Sequence, residues 1–476
     1  MAAKKDSYKN LAFNAIIFAI GSFSSKILVL LLLPIYTSAL TKSELGIADL
    51  VMQIANFIIP VASLSIADAV IRFGLDKKND KSEIFSTSCA VMAVGVLMFA
   101  LICPVLHLYE RISDYVFILF IYVVFACVKL LFCEFARARE LVKLYSLNGL
   151  LTTVMMLLFN VLFLFVFKLG AKGYLLAVVF SDACSIIFLF AVAGYARYFS
   201  LKSINLTLMK SMLAFCVPLI PTTVLWLVTN VSDRFFVTEM LGEAQNGILS
   251  VAYKFPTIVT AMYGMFAQAW NMSAITQSDS DDRKRFYTNV FSSNASLVFV
   301  CAAGIMTFLI PLINIFTSSE EYLIAYKYAP MLIVSMIFTC FTSFLGGIYS
   351  AVKKTKNSMY SALVGALINV ALNALLIKPF GIQGAVVATL ISYVAVFVYR
   401  IIDVRRFAEF DVDFMSIIVN TAIIFIMGIM IIVSEGLILA AILIVGCALI
   451  CTINFSAILR ILRRLLPASI LRRLHL

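Results

Sequence analysis

The sequence predicts an all-α, polytopic membrane protein of fourteen transmembrane helices, arranged as two parallel six-helix repeats plus two C-terminal helices. Three observations lead there. Of its 476 residues, 63% are hydrophobic and only 13% charged, more apolar sequence than a soluble core can use. Lys and Arg fall mainly on alternate connections between the apolar runs. The chain also repeats itself in ordered blocks.

The apolar runs long enough to span a bilayer lie near 11–36, 45–71, 84–108, 115–133, 147–168, 174–196 and 211–230. Seven more lie near 247–269, 287–315, 327–350, 358–379, 384–402, 414–433 and 436–459. The basic start "MAAKKDSYKN" leads into the first run without a small-residue cleavage site, so a retained signal anchor is expected.

Charge tests this count. Of the 37 Lys and Arg residues, 27 fall on one side: both termini, "RFGLDKKNDK", the 134–146 and 197–210 connections, "DDRKR", "VKKTKN" and "YRIIDVRRF". Seven fall on the other: Lys42, Arg111, Lys168, Lys172, Arg234, Lys327 and Lys378. The positive-inside rule then places both termini in the cytoplasm. The net charge of +12 is mostly topology and does not indicate nucleic acid as a partner. The tail "LRILRRLLPASILRRLHL" reads as an amphipathic segment lying on anionic membrane lipids.

The ten cysteines are scattered through apolar segments, and the histidines are His107 and His475. No pair has metal-ligand spacing backed by histidine, and Cys447 and Cys451 read as packing residues. No metal, cofactor or disulfide framework is expected.

The repeat is visible in three ordered blocks. "LTKSELGI" (40–47) and "LGEAQNGI" (241–248) share Leu, Gly and Ile at an offset of 201, which also sets Phe85 on Phe286. "GAKGYLLAVVFS" (170–181) matches "GIQGAVVATLIS" (381–392), and Tyr145-Ser146 lines up with Tyr360-Ser361 between them. Six crossings restore the starting side, so the copies are parallel about an axis along the membrane normal, with a site expected between the halves. The expected divisions are 1–200 for helices 1–6, 201–410 for helices 7–12, and 411–476 for helices 13–14 and the tail.

Several of these stretches resemble one family. "SDRFFVTEMLGEAQNGILSVAYK" (232–254) is similar to the helix 7–8 signature of bacterial polysaccharide repeat-unit flippases, which serve O-antigen and capsule. "FSSKILVLLLLPIYTSALTKSELGIADL" (23–50) and "ADAVIRF" (67–73) resemble their first two helices. "GGIYSAVKKTKNSMYSALVGALINVALNALLIKPFGIQGAVVATLISY" (346–393) resembles their helix 10–12 region. Leu249 departs from the family, which usually has an aromatic residue there. The family sits in the multidrug/oligosaccharidyl-lipid/polysaccharide exporter superfamily. The resemblance implies two lobes around a V-shaped cavity that opens alternately to either side. It also implies a cargo of oligosaccharide on a polyprenyl (pyro)phosphate, a polysaccharide polymerase and glycosyltransferases as neighbours, and a transporter with no catalytic residues. A monomer is expected.

The charges inside the apolar spans supply candidate site residues. On the first span Asn14, Phe18, Ser22, Ser25 and Lys26 form a mostly polar helical stripe, with Lys26 near mid-bilayer. On the seventh, Thr222, Trp226, Thr229 and Asp233 do likewise, beside Arg234. Such stripes face a cavity or a neighbouring helix rather than lipid. Candidate cations for the anionic cargo are Lys26, Arg72, Arg234 and Lys254. Candidate carboxylates for H+ or Na+ coupling, or for pairing those cations, are Asp68, Asp182 and Asp233. Asp68 is the i, i+4 partner expected for Arg72, whereas Lys129 is expected to snorkel to the cytoplasmic interface. Two alternatives stay open within the superfamily: a lipid II flippase, which the same cations suit, and a cation-coupled multidrug exporter, which Lys26 disfavours. The want of a sizeable extramembrane loop disfavours a membrane-embedded glycosyltransferase or polymerase.

Overall fold

The computed structural model describes residues 32–76, 79–217, 219–276, 283–352, 354–457 and 459. Among them the regular structure is entirely helical, and eleven helices are long and apolar enough to cross a membrane. The chain divides into two compact units, 1–247 and 248–476.

The first unit begins with α1 (Leu33–Ala39) and α2 (Lys42–Ala62). The repeat block "LTKSELGI" has a local reason. Thr41 accepts from the Glu44 amide at 3.2 Å while the Thr41 amide donates to Glu44 Oε2 at 2.9 Å, a reciprocal cap that starts α2. The apolar run near 45–71, read as one span, is broken. Pro60 weakens the end of α2, Leu64 and Ser65 take left-handed φ of 51° and 48°, and α3 (Ile66–Gly74) starts afresh. The Pro60 carbonyl accepts from the Ser65 amide at 2.9 Å, which holds the turn. Each non-glycine residue there costs about 1–2 kcal/mol.

The unit continues with α4 (Lys81–Ile102), α5 (Val116–Ala138), α6 (Val142–Asn160), α7 (Gly170–Val192), α8 (Leu206–Cys216) and α9 (Leu219–Leu241). The side chains of Asp80 and Asn205 cap α4 and α8 by accepting from backbone amides in the first turn. Helices α5, α6 and α7 pack together, and α2 lies along both α5 and α9. An aromatic cluster fixes the end where α4, α5 and the 193–198 turn meet. Phe85 stacks on Phe135 at 4.5 Å, and Tyr195 donates to the Phe132 carbonyl at 2.7 Å. Helix α9 is not among the eleven apolar helices; it carries Asp233, Arg234 and Glu239.

Helix α10 (Glu243–Lys254) carries the join between the units. The second unit then holds α11 (Thr257–Thr276), α12 (Arg283–Phe316), α13 (Ala329–Ala351), α14 (Thr355–Phe380), α15 (Ile382–Val404), α16 (Phe414–Val433) and α17 (Gly436–Ile453). Helix α13 is its centre, packed by α11, α12, α15 and α16. Trp270 of α11 stacks on Phe344 of α13 at 4.0 Å and donates its indole N–H to the Phe344 carbonyl at 3.0 Å. That satisfies the polar end of a fully buried ring.

Candidate functional site

The expected site residues separate into groups. Lys26 and its stripe lie outside the described residues. Arg234 and Asp233 sit in α9, 7% and 1% exposed. Arg234 Nε donates to Asp49 Oδ2 of α2 at 3.3 Å, and Asp49 is itself 5% exposed. Two charges so far from water need one another, because each alone carries a desolvation cost of several kcal/mol. On the same helix Thr229 donates its hydroxyl to the Leu225 carbonyl at 3.2 Å, an intrahelical bond. Lys254, at the end of α10, is half-buried.

Asp182 lies in α7, 4% exposed, with its Oδ1 2.6 Å from Lys129 Nζ of α5. Lys129 therefore does more than snorkel; it is the partner of a buried carboxylate 53 positions away in sequence. Polar groups gather round the pair: Ser185 donates to Asn148 Oδ1 at 2.9 Å, and Asn148 Nδ2 to Cys133 Sγ at 3.6 Å.

Asp68 and Arg72 are both exposed on α3. They form no ion pair with one another, so the expected i, i+4 bridge is not made. Between the end of α2 and the second half of α4 lies an apolar cavity of about 240 Å³, lined by Phe57, Ala62, Leu64, Gly95, Phe99 and Leu106 among others. It offers no group that would bind a charged head group.

Three polar clusters went unread in the sequence. Asp49, on the second turn of α2, is the first. The second surrounds Arg111, whose Nε lies 3.0 Å from Glu239 Oε1 and whose Nη1 lies 3.8 Å from Glu243. Tyr109 donates to the same Glu239, and burial, reinforced by that carboxylate, pushes its phenol above the usual range. The third is Arg400 in α15, counted among the basic loop residues but 2% exposed. Its Nη1 donates to the Thr342 carbonyl at 2.6 Å, its Nε to Ser361 at 2.8 Å and its Nη2 to Ser358 Oγ at 3.2 Å. Beside it Asp403 accepts from Tyr349 at 2.7 Å and Asn357 at 2.8 Å. The described residues hold no cluster of His, Cys, Asp or Glu able to bind a metal ion.

A family model described as "Polysaccharide biosynthesis protein" matches residues 11–271, more than half of the chain. The chain belongs to that family. A second model, MatE, matches residues 218–375. Among solved structures, the lipid II flippase MurJ in its inward closed conformation is 16% identical, with a TM-score of 0.68 over 94% of this chain and 99% of that one. An inward-facing multidrug resistance MATE family transporter of the MOP superfamily is 14% identical, with a TM-score of 0.65 over 82% of this chain and 98% of that one. A MOP superfamily transporter from Pyrococcus furiosus, 13% identical, gives 0.58 over 83% and 96%. At such identities these likenesses show the fold. An uncharacterized membrane protein of Methanocaldococcus jannaschii is 22% identical over 196 residues, 41% of this chain. The match spans 46% of that relative's length. The chain is thus a multi-pass membrane protein of the polysaccharide biosynthesis family, with the fold that these MurJ and MATE structures share.

Proposed function

We propose that the protein is a flippase, carrying a saccharide linked to a polyprenyl (pyro)phosphate from the cytoplasmic to the outer leaflet by alternating access. The observation that carries this reading is the polysaccharide biosynthesis family match over 11–271, which includes α2 and α9 with the buried Asp49–Arg234 pair. A head group bearing phosphate must leave water to cross, and cations held in place beforehand offset that cost. Arginine suits phosphate because its planar fork gives two parallel hydrogen bonds. Arg234, Lys26, Lys254 and Arg72 are the cations proposed to line a central cavity, with Asp68, Asp182 and Asp233 as the carboxylates that pair them or bind a coupling H+ or Na+. The architecture proposed with it is fourteen helices: repeats over 1–200 and 201–410, an appendix over 411–476, and both termini cytoplasmic in a bacterial inner membrane.

Two finer readings share this chemistry. The family description supports an oligosaccharide repeat unit bound for a cell-surface polysaccharide, made and extended by neighbouring glycosyltransferases and a polymerase. The structural comparison leans to lipid II, since the lipid II flippase overlays at 0.68 across nearly the whole of both chains. Complementation decides between them. Expression in a strain lacking its repeat-unit flippase is expected to restore surface polysaccharide. Rescue of growth in cells depleted of their lipid II flippase, without that restoration, selects lipid II instead. Failure of both together with raised resistance to cationic drugs refutes the flippase reading in favour of the multidrug exporter.

A further inference from the structure

Within the first unit, α2 and the first turn of α10 approach until backbone meets backbone. A Cβ added to Gly46 would overlap the Glu243 carbonyl oxygen and stand 2.9 Å from the Gly247 nitrogen. A Cβ added to Gly247 would overlap the Lys42 carbonyl. Asn246 Nδ2 donates to the Gly46 carbonyl at 2.7 Å and closes the contact. The sequence offset of 201 sets Lys42 on Glu243 and Gly46 on Gly247. Each glycine thus meets the carbonyl four residues before the other, the reciprocity of a twofold interface within one chain.

Three residues further along α2, Asp49 takes Arg234 of α9. This pair has no reciprocal mate, because the same offset sets Ser250 on Asp49 and Leu33 on Arg234. The glycine contact closes by backbone packing and the Asn246 bond, with no charge to bury, whereas a buried ion pair brings a desolvation cost. The charge pair therefore answers to something other than packing.

We propose that Asp49 is a positioning residue that clamps Arg234, and with it the Gly46–Gly247 contact, until a phosphate group takes Arg234 from it. The proposal rests on the reading of Arg234 as a cation for anionic cargo. Carboxylate and phosphate present the same acceptors to a guanidinium, so one replaces the other without leaving the arginine unpaired. The exchange leaves Asp49 as a buried carboxylate without its partner, which favours opening α2 from α9 and α10 to water. The Lys42 end of α2 lies opposite the basic loops, so this clamp closes the side assigned to the outside.

Thr238, fully buried one turn beyond Arg234 in α9, takes a reporter cysteine in a background with the ten native cysteines replaced. A membrane-impermeant maleimide is added to intact cells. Asp49→Asn is expected to raise labelling of Thr238→Cys several-fold at parental protein level, and Asp49→Glu to leave it near the parent. Gly46→Ala, which keeps both charges, is expected to raise it too. Asp49→Arg with Arg234→Asp is expected to restore the low rate, because the pair is remade with its charges exchanged. Parental labelling in Asp49→Asn, or in Gly46→Ala should Asp49→Asn fail to accumulate, overturns the clamp. The exchanged pair is further expected to lose transport, since the cation has moved to α2. Normal transport by that double variant would overturn Arg234 as the cargo cation while leaving the labelling result untouched, which tells the two failures apart.

Discussion

Lys129 on α5 holds Asp182 on α7 at 2.6 Å, the amine partly open to its surroundings and the carboxylate closed off. The pair ties two helices that meet far from one another in sequence, and its members are not equally replaceable. Removing Lys129 strands a buried charge; removing Asp182 leaves an ammonium that can still reach water.

Lys129→Ala is accordingly expected to destabilise the first unit by about 3 kcal/mol, the lower end for a broken buried pair. Asp182→Asn should cost less. Lys129→Met combined with Asp182→Leu should recover most of the loss, since no unpaired charge remains. Thermal unfolding of the purified protein in detergent ranks the three. A Lys129→Ala variant as stable as the parent would return Lys129 to a purely snorkelling role.

Arg400 supports a parallel prediction in the second unit. Its three nitrogens bond α13 and the start of α14, so Arg400→Lys keeps the charge but only part of that fork. The expected cost is on the order of 2–3 kcal/mol. Gly346→Ala should act in the same direction, because the added methyl would stand 2.8 Å from Arg400 Nη1. Tyr349→Phe should cost only about 1 kcal/mol, since Asn357 still donates to Asp403. The order of the melting temperatures checks the assignment, and Tyr349→Phe melting below Arg400→Lys would contradict it.

Much of this architecture is legible in the sequence, for reasons that also mark where legibility stops. Helix α16 spans the 414–433 read from apolar run length, because nothing but length and two polar ends defines it. The α2–α3 break escaped: a left-handed turn at Leu64 and Ser65 carries no glycine to announce it, and Pro60 alone fits a kinked but continuous helix. Arg234 and Asp233 stand out because an apolar span makes charge conspicuous. Their neighbour Asp49 does not, since it follows the polar start of α2 and passes for a solvated residue near a helix end. Arg400 was hidden by Arg405 and Arg406, whose company made it look like part of a loop. Pairings such as Lys129–Asp182 depend on which faces meet, and helical periodicity fixes a face without naming its partner.

Sidedness follows from the charge asymmetry and has a direct readout. Single cysteines at the exposed positions Asp76, Lys143 and Lys356 are expected to react with an impermeant maleimide only after permeabilisation. Cysteines at Asp114 and Glu320, also exposed, should react in intact cells. Labelling of Lys356→Cys in intact cells would invert the second half of the topology.

The cargo's charge is tested most sharply at Lys26, which lies outside the described residues and is argued from its span alone. That span runs from Leu11 to Ile35, and Ser22 and Ser25 share a face with the lysine. An ammonium at the midpoint of about 30 Å of hydrocarbon cannot easily reach either interface. A lysine so placed is expected to face water or an anion. If the anion is the phosphate of the cargo, Lys26→Ala should abolish transport at unchanged protein level. Lys26→Arg should keep part of it, because charge survives while reach and geometry change. Lys143→Ala, which removes an exposed cation from a connection between helices, should leave transport intact. Surface polysaccharide in the complemented strain supplies the readout, with protein level followed by blot. Normal polysaccharide from Lys26→Ala would make that lysine structural, and the phosphate contact would then have to fall to Arg234, the cation that Asp49 already holds.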